Sequence, residues 1–150
     1  MFELIEEMMM VETEIRDIIV TTPKSEMETA AQEAEMIKQH GGGRYFRRYP
    51  YGRCPKVSPR SKVFFVEDGY VRGFCEVLEV GDLPDGLECE ITKDNPGEGT
   101  YVVMDATSWC WIKPIPMKGF QNFRYVPEDF EYKVIGDWQD PKPGIKNTNR

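Results

Sequence analysis

The chain has 150 residues, 40% of them hydrophobic, and a formal net charge of −7. That length fits one domain with one core, and no run of about 18 apolar residues exists to span a membrane. The acidic opening MFELIEEMMM is the reverse of a signal peptide's basic start. Cys54, Cys75, Cys89 and Cys110 are scattered and His40 stands alone, so the paired spacing of a zinc site is missing. Reduced thiols in a cytoplasmic setting are expected, with no metal and no cofactor.

Residues 2–13 place Phe2, Ile5, Met8 and Met9 at helical spacing, and a short helix or a lightly docked terminus fits them equally. EIRDIIVTT (14–22) reads as a strand that Pro23 stops. Ser25 with Glu28 forms a capping box for a helix over about 26–39. Its stripe of Met27, Ala30, Ala31, Ala34 and Ile37 lets it lie close on a sheet, and Gly41-Gly42-Gly43 ends it. In RYFRRYPYGRCPKVSPRS (44–61), three prolines and a glycine argue against regular structure over most of the stretch.

KVFFVEDGYVRGFCEVLEV (62–80) is the centre of the chain. Asp68-Gly69 favours a type I′ turn, because both central residues tolerate positive φ. The register that follows pairs Glu67 with Tyr70, Val66 with Val71, Phe65 with Arg72 and Phe64 with Gly73. One face then carries Phe64, Val66, Val71, Gly73, Cys75 and Val77; the other carries Phe65, Glu67, Tyr70, Arg72, Phe74, Glu76 and Leu78 and is half solvated. After an acidic, turn-rich region (81–99), a strand is expected at 100–106, with 108–112 continuing it or starting another, then a proline-bounded loop at 113–127 and a last strand at 128–138. Residues 140–150 read as a disordered tail after a single domain of residues 1–139. One long helix followed mainly by strands gives an α+β class: a small twisted barrel with a helix at its side.

Charge is unevenly spread. Between Gly41 and Val66 there is no acidic residue, while Arg44, Arg47, Arg48, Arg53, Lys56, Arg60 and Lys62 supply +7, leaving −14 on the rest. Only this window should attract polyanions. Tyr45, Phe46, Tyr49 and Tyr51 interleave with its cations. Arginines neutralise phosphates and aromatic faces stack on unpaired bases at roughly 1–3 kcal/mol each. The alternative is a surface loop whose rings anchor it while its arginines pair with the acidic remainder. A second group holds Trp109, Trp111, Lys118, Phe120, Gln121, Phe123, Arg124 and Tyr125. Trp109 and Trp111 could wall a flat pocket, Gln121 could read a base edge, and Lys118 and Arg124 could hold a phosphate. Equally, these rings could simply close the barrel's end.

The order strand, capped helix, basic loop, the hairpin KVFFVEDGYVRGFCEV and then PIPMKGFQNFRY resembles the PUA-like superfamily, in its ASCH and EVE/YTH-type branches, over about residues 15–137. The resemblance implies a small β-barrel with flanking helices that binds RNA or a modified nucleobase in a cleft. The ASCH signature Gly-x-Lys-x-x-Glu-x-Arg is not present. Its nearest counterpart is Lys118-Gly119-Phe120-Gln121-Asn122-Phe123-Arg124, with Gln121 at the acidic position. Some ASCH-like relatives are amidohydrolases of modified cytidine, but a glutamine cannot exchange a proton near neutral pH.

The expected function is therefore non-catalytic binding of RNA or a nucleotide-like ligand. Arg44, Arg47, Arg48 and Arg53 would take phosphates, Tyr45 or Tyr49 with Trp109 or Trp111 would sandwich a base, and Lys118, Gln121 and Arg124 would complete the site. One alternative is a small amidohydrolase using Lys118 with Asp105 or Glu76. Another is a domain whose basic loop docks an acidic protein.

Overall fold

The structure is a computed structural model that describes residues 16–21, 44–88, 93–141 and 143–144. The expected helices at 2–13 and 26–39 lie outside the described residues, as does most of the segment expected as a tail. The described residues build one seven-stranded sheet: β1 (Ile18–Thr21), β2 (Arg44–Tyr49), β3 (Lys62–Glu67), β4 (Tyr70–Leu83), β5 (Gly99–Pro116), β6 (Phe123–Tyr125) and β7 (Val134–Asp137). The order is β2-β5-β4-β3-β1-β6, with β7 added to the far half of β5. The β1–β3 pair is parallel and every other pair antiparallel.

The sheet curls into a half-barrel. One core cluster draws residues from β1 through β5, including Ile18, Val20, Tyr49, Val63, Phe65, Cys75, Val77, Val102, Met104, Trp109 and Trp111, with Phe123 and Tyr125 of β6 packed against it. Six strands can share one cluster only on the concave side of a curled sheet. A second cluster, Ile19, Phe64, Val66, Val71, Phe74 and Ile112, lies on the convex side. Ile115, Met117, Phe120, Val126 and Phe130 cover it. The β3 strand is thus apolar on both faces because both are covered.

The Asp68–Gly69 turn forms as the dipeptide predicts, with φ of 51° and 83°. Beyond Val66–Val71 the register differs from expectation: Phe65 pairs with Gly73 and Phe64 with Phe74. Arg72 is the extra residue of a bulge. One inserted residue reverses the alternation, so Cys75 and Val77 join Val63 and Phe65 in the concave core instead of Phe64 and Val66. The face expected to be half solvated is closed at Phe65, Glu67, Arg72 and Phe74, which are buried, and open at Glu76 and Leu78. Gly73 sits where a Cβ would collide with the Trp109 ring and the Cys110 carbonyl, so Trp109, from the neighbouring strand, lies over bare backbone there.

Three further corrections concern extent. Residues 44–49 form a strand, because the stretch's prolines and glycine all begin at Pro50 and the RYFRRY ahead of them has none. Of the two alternatives for 108–112, it continues the strand at 100–106: the two form one strand, β5, which reaches into the expected loop at 113–127, and that loop also holds β6. Asp105 and Ser108 hold the irregularity in its middle: the Asp105 carboxylate accepts from the Thr107 N–H (2.9 Å) and hydroxyl (2.6 Å), and Ser108 Oγ accepts the Glu76 N–H (2.7 Å). The last strand shrinks to Val134–Asp137.

Candidate nucleic-acid interface

The barrel's free edges, β2 and β6, meet at a seam. The Tyr49 and Phe123 rings pack edge to face with centroids 5.9 Å apart. Beyond β2 the chain crosses the seam: the Lys56 N–H donates to the Tyr125 hydroxyl (3.0 Å) and the Arg16 N–H to the Lys56 carbonyl (3.1 Å). The Arg16 guanidinium lies over the Tyr125 ring, 5.0 Å from its centroid. The two sequence-distant groups of candidate residues, 44–53 and 109–125, therefore touch.

They touch with the wrong rings for a base sandwich. Trp109, Trp111 and Tyr49 are 1%, 2% and 6% exposed, so none presents an open face. Trp109 packs against Phe65 and Trp111 instead, with centroids 5.7 and 5.3 Å apart. The cause is the alternation: both tryptophans sit on the concave face of β5, where the core is. Burial pushes the Tyr49 phenol above its ordinary value, with nearby Arg47 pulling the other way. The Tyr49 hydroxyl and the Trp109 indole N–H are buried with no hydrogen-bond partner among the described residues.

The cations are better placed. Arg44 and Arg48 are exposed on the convex side of β2, and half-buried Arg47 faces the concave side with Tyr49. Arg48 Nε donates to the Glu98 carbonyl at 2.6 Å, which steadies its stem. The turn after β2 closes with the Arg53 N–H donating to the Pro50 carbonyl (3.0 Å), and Gly52 supplies the positive φ of 77° that a type II turn requires. That turn presents Arg53 and Tyr51, whose ring is 47% exposed. Tyr51 is one of the four rings that interleave with the cations in sequence, and the Pro-Tyr-Gly-Arg turn pattern marks it as a presented ring. Local desolvation, then the carboxylates of Glu98 and Asp82, push its phenol up. The acidic segment before β5 thus borders one end of the basic one. Beside it, burial and then Asp82 raise the Cys54 thiol to about 11.

Across the seam, Arg124 is exposed on the convex side of β6, with its guanidinium 4.1 Å from the Phe120 ring centroid. Lys118 and Gln121 are exposed on the preceding segment, which the Phe120 N–H anchors to Thr21 Oγ1 (3.0 Å). Tyr45 lies in β2 opposite Met104. Lys56 reaches Tyr125 of β6, on which Arg124 is exposed, while Arg44, Arg48 and Arg53 are exposed along β2 and the turn after it, with Tyr51. The fold moves Trp109, Trp111 and Tyr49 into the core beneath.

Asp105 is committed to Thr107, so a general acid–base pair with Lys118 gains no support from these bonds. Among the described residues no group of three or more His, Cys, Asp or Glu side chains is placed to hold a metal, and no helix is long and apolar enough to cross a membrane. No protein-family model, curated protein or solved structure matches this chain.

Proposed function

We propose that this chain is a non-catalytic module that binds single-stranded nucleic acid, RNA above all, along the basic rim of the barrel seam. In this reading the curled sheet is of the PUA-like kind, a helix over 26–39 packs against it, and the protein works in the cytoplasm. The observation that carries the proposal is the rim itself. Arg44, Arg48 and Arg53 are exposed on β2 and the turn after it, and Arg124 is exposed on β6, the strand whose Phe123 ring meets Tyr49, in a chain whose remainder is acidic. Phosphates would meet the arginines, Tyr51 would supply the stacking face that the buried tryptophans cannot, and Gln121 would reach a base edge. Trp109 and Trp111 support the rim from below.

Binding of a fluorescent ten-nucleotide single-stranded RNA, followed by anisotropy across a salt series, tests this. Affinity should fall steeply with salt. Replacing Arg44, Arg48 and Arg53 together by alanine should weaken binding and flatten the salt slope by about 2, at roughly 0.7 per lost phosphate contact. A slope unchanged by the triple replacement, or no binding at micromolar protein, refutes the proposal. Competition by an acidic peptide as effective as by RNA would point instead to a protein-docking loop.

A further inference from the structure

Arg48 differs from Arg44 and Arg53 in how its side chain is held. It stands on β2 opposite Tyr101 of β5, and its stem runs across the start of β5. A Cβ at Gly99 would lie 2.9 Å from Arg48 Cγ, 2.8 Å from Arg48 Nε and 2.8 Å from the Tyr49 carbonyl oxygen. The stem therefore crosses bare backbone, and a larger residue at position 99 would push it off. At the end of that path Nε donates to the Glu98 carbonyl at 2.6 Å. Among the described residues, the exposed side chains of Arg44 and Arg53 have no such bond.

The consequence is geometric. A guanidinium carries five N–H donors in one rigid plane. The carbonyl takes Nε and fixes the plane, which leaves the four Nη N–H for a ligand. Paired Nη donors match two oxygens of one phosphate. A free arginine loses rotamer freedom when it grips an anion, and Arg48 has lost much of it beforehand. Tyr51 lies on the turn that follows, near enough for both Glu98 and Arg48 to act on its phenol. The rim's stacking face thus stands beside the fixed guanidinium.

Resting on the nucleic-acid reading of the rim, we propose that Arg48 is a preset fork that takes one phosphodiester bidentately through its two Nη groups. Gly99 and the Glu98 carbonyl are its positioning groups, and Arg44 and Arg53 act around it as point charges. A lysine at position 48 would keep the charge. Its single ammonium could not hold the carbonyl and still present two parallel donors.

Two measurements on the full chain test this. The first is anisotropy with the ten-nucleotide RNA across the salt series, comparing Arg48→Lys with Arg44→Lys and Arg53→Lys. All three keep their charge, so the salt slope should hold. Arg48→Lys should weaken binding about tenfold, as expected for one lost charge-assisted hydrogen bond, and each of the others about threefold or less. Gly99→Ala should weaken binding about as much as Arg48→Lys, and the two together little more than either. A glycine that acted only on folding would give additive losses instead, which overturns its positioning role. If Gly99→Ala fails to fold, the lysine series and the second measurement decide alone. That measurement is the arginine side-chain proton–nitrogen spectrum of the RNA-free chain. The Arg48 Nε–H should exchange with water about tenfold more slowly than those of Arg44 and Arg53. Equal exchange, or equal losses in the three lysine variants, overturns the fork while leaving the rim as a nucleic-acid surface. A chain that binds no RNA overturns both.

Discussion

Arg48 and Arg72 both donate to a backbone carbonyl, Glu98 and Pro143 respectively, and there the likeness ends. Arg48 stands exposed on the rim, where water solvates its charge and salt screens it. Arg72 is enclosed among Trp111, Glu67 and Pro143. The difference teaches where each charge does its work. An exposed arginine contributes little to folding and is free to meet a ligand. A buried one is bound into the fold, and its removal strands whatever it faced.

The sharpest way to break this contrast is to remove each arginine in turn. Arg72→Met should lower unfolding free energy by about 3 kcal/mol, because Glu67 stays buried without its cation. Arg48→Met should cost about 0.5 kcal/mol or less. Urea titrations of both variants check this, and equal losses would erase the distinction. Next in size, Gly73→Ala should cost about 2 kcal/mol, since its Cβ meets the Trp109 ring and a backbone carbonyl that cannot rotate away. The matching change at Gly52 lacks that clash, with nothing within 4 Å of its Cβ position, and is limited to the strain of a positive φ.

Tyr49→Phe probes the seam's buried side. Removing an unpartnered hydroxyl should leave stability unchanged or raise it by about 1 kcal/mol at neutral pH. The folded-state pKa is raised from 10.0, so the wild-type contribution is full below pH 10 and is lost as pH climbs through the higher folded value. The phenylalanine variant should lack that part of the alkaline loss, as melts between pH 9 and 11 would show. The smallest effect is kinetic. With its thiol at about 11, Cys54 is about 1% thiolate at pH 9, where an ordinary thiol is about half ionised, so iodoacetamide should label it tens of times more slowly than a free cysteine.

Much of the architecture was legible in particular residues. Asp68-Gly69 specified its turn, and the apolar runs at 18–20, 63–66 and 101–104 specified buried strands. The bulge at Arg72 was not legible. A bulge preserves composition and alters only pairing, and the partner that makes it necessary, Trp109 over Gly73, lies 36 positions further along the chain. The basic window was legible as charge. Its division into convex Arg44 and Arg48 and concave Arg47 followed only once residues 44–49 were seen to be a strand.

By itself, then, the sequence determined the strands around 18–20, 62–80 and 100–112, though not those at 44–49 and 123–125, together with the Asp68-Gly69 reversal and the concentration of positive charge in one window. Those are local properties, written in turn chemistry, alternation and composition. The tertiary structure alone decided that the tryptophans face inward, that β2 and β6 meet at a seam, and that Arg72 ends up enclosed beneath Pro143. Which face of a strand is buried depends on how the whole sheet curls, and a single inserted residue is enough to exchange the faces.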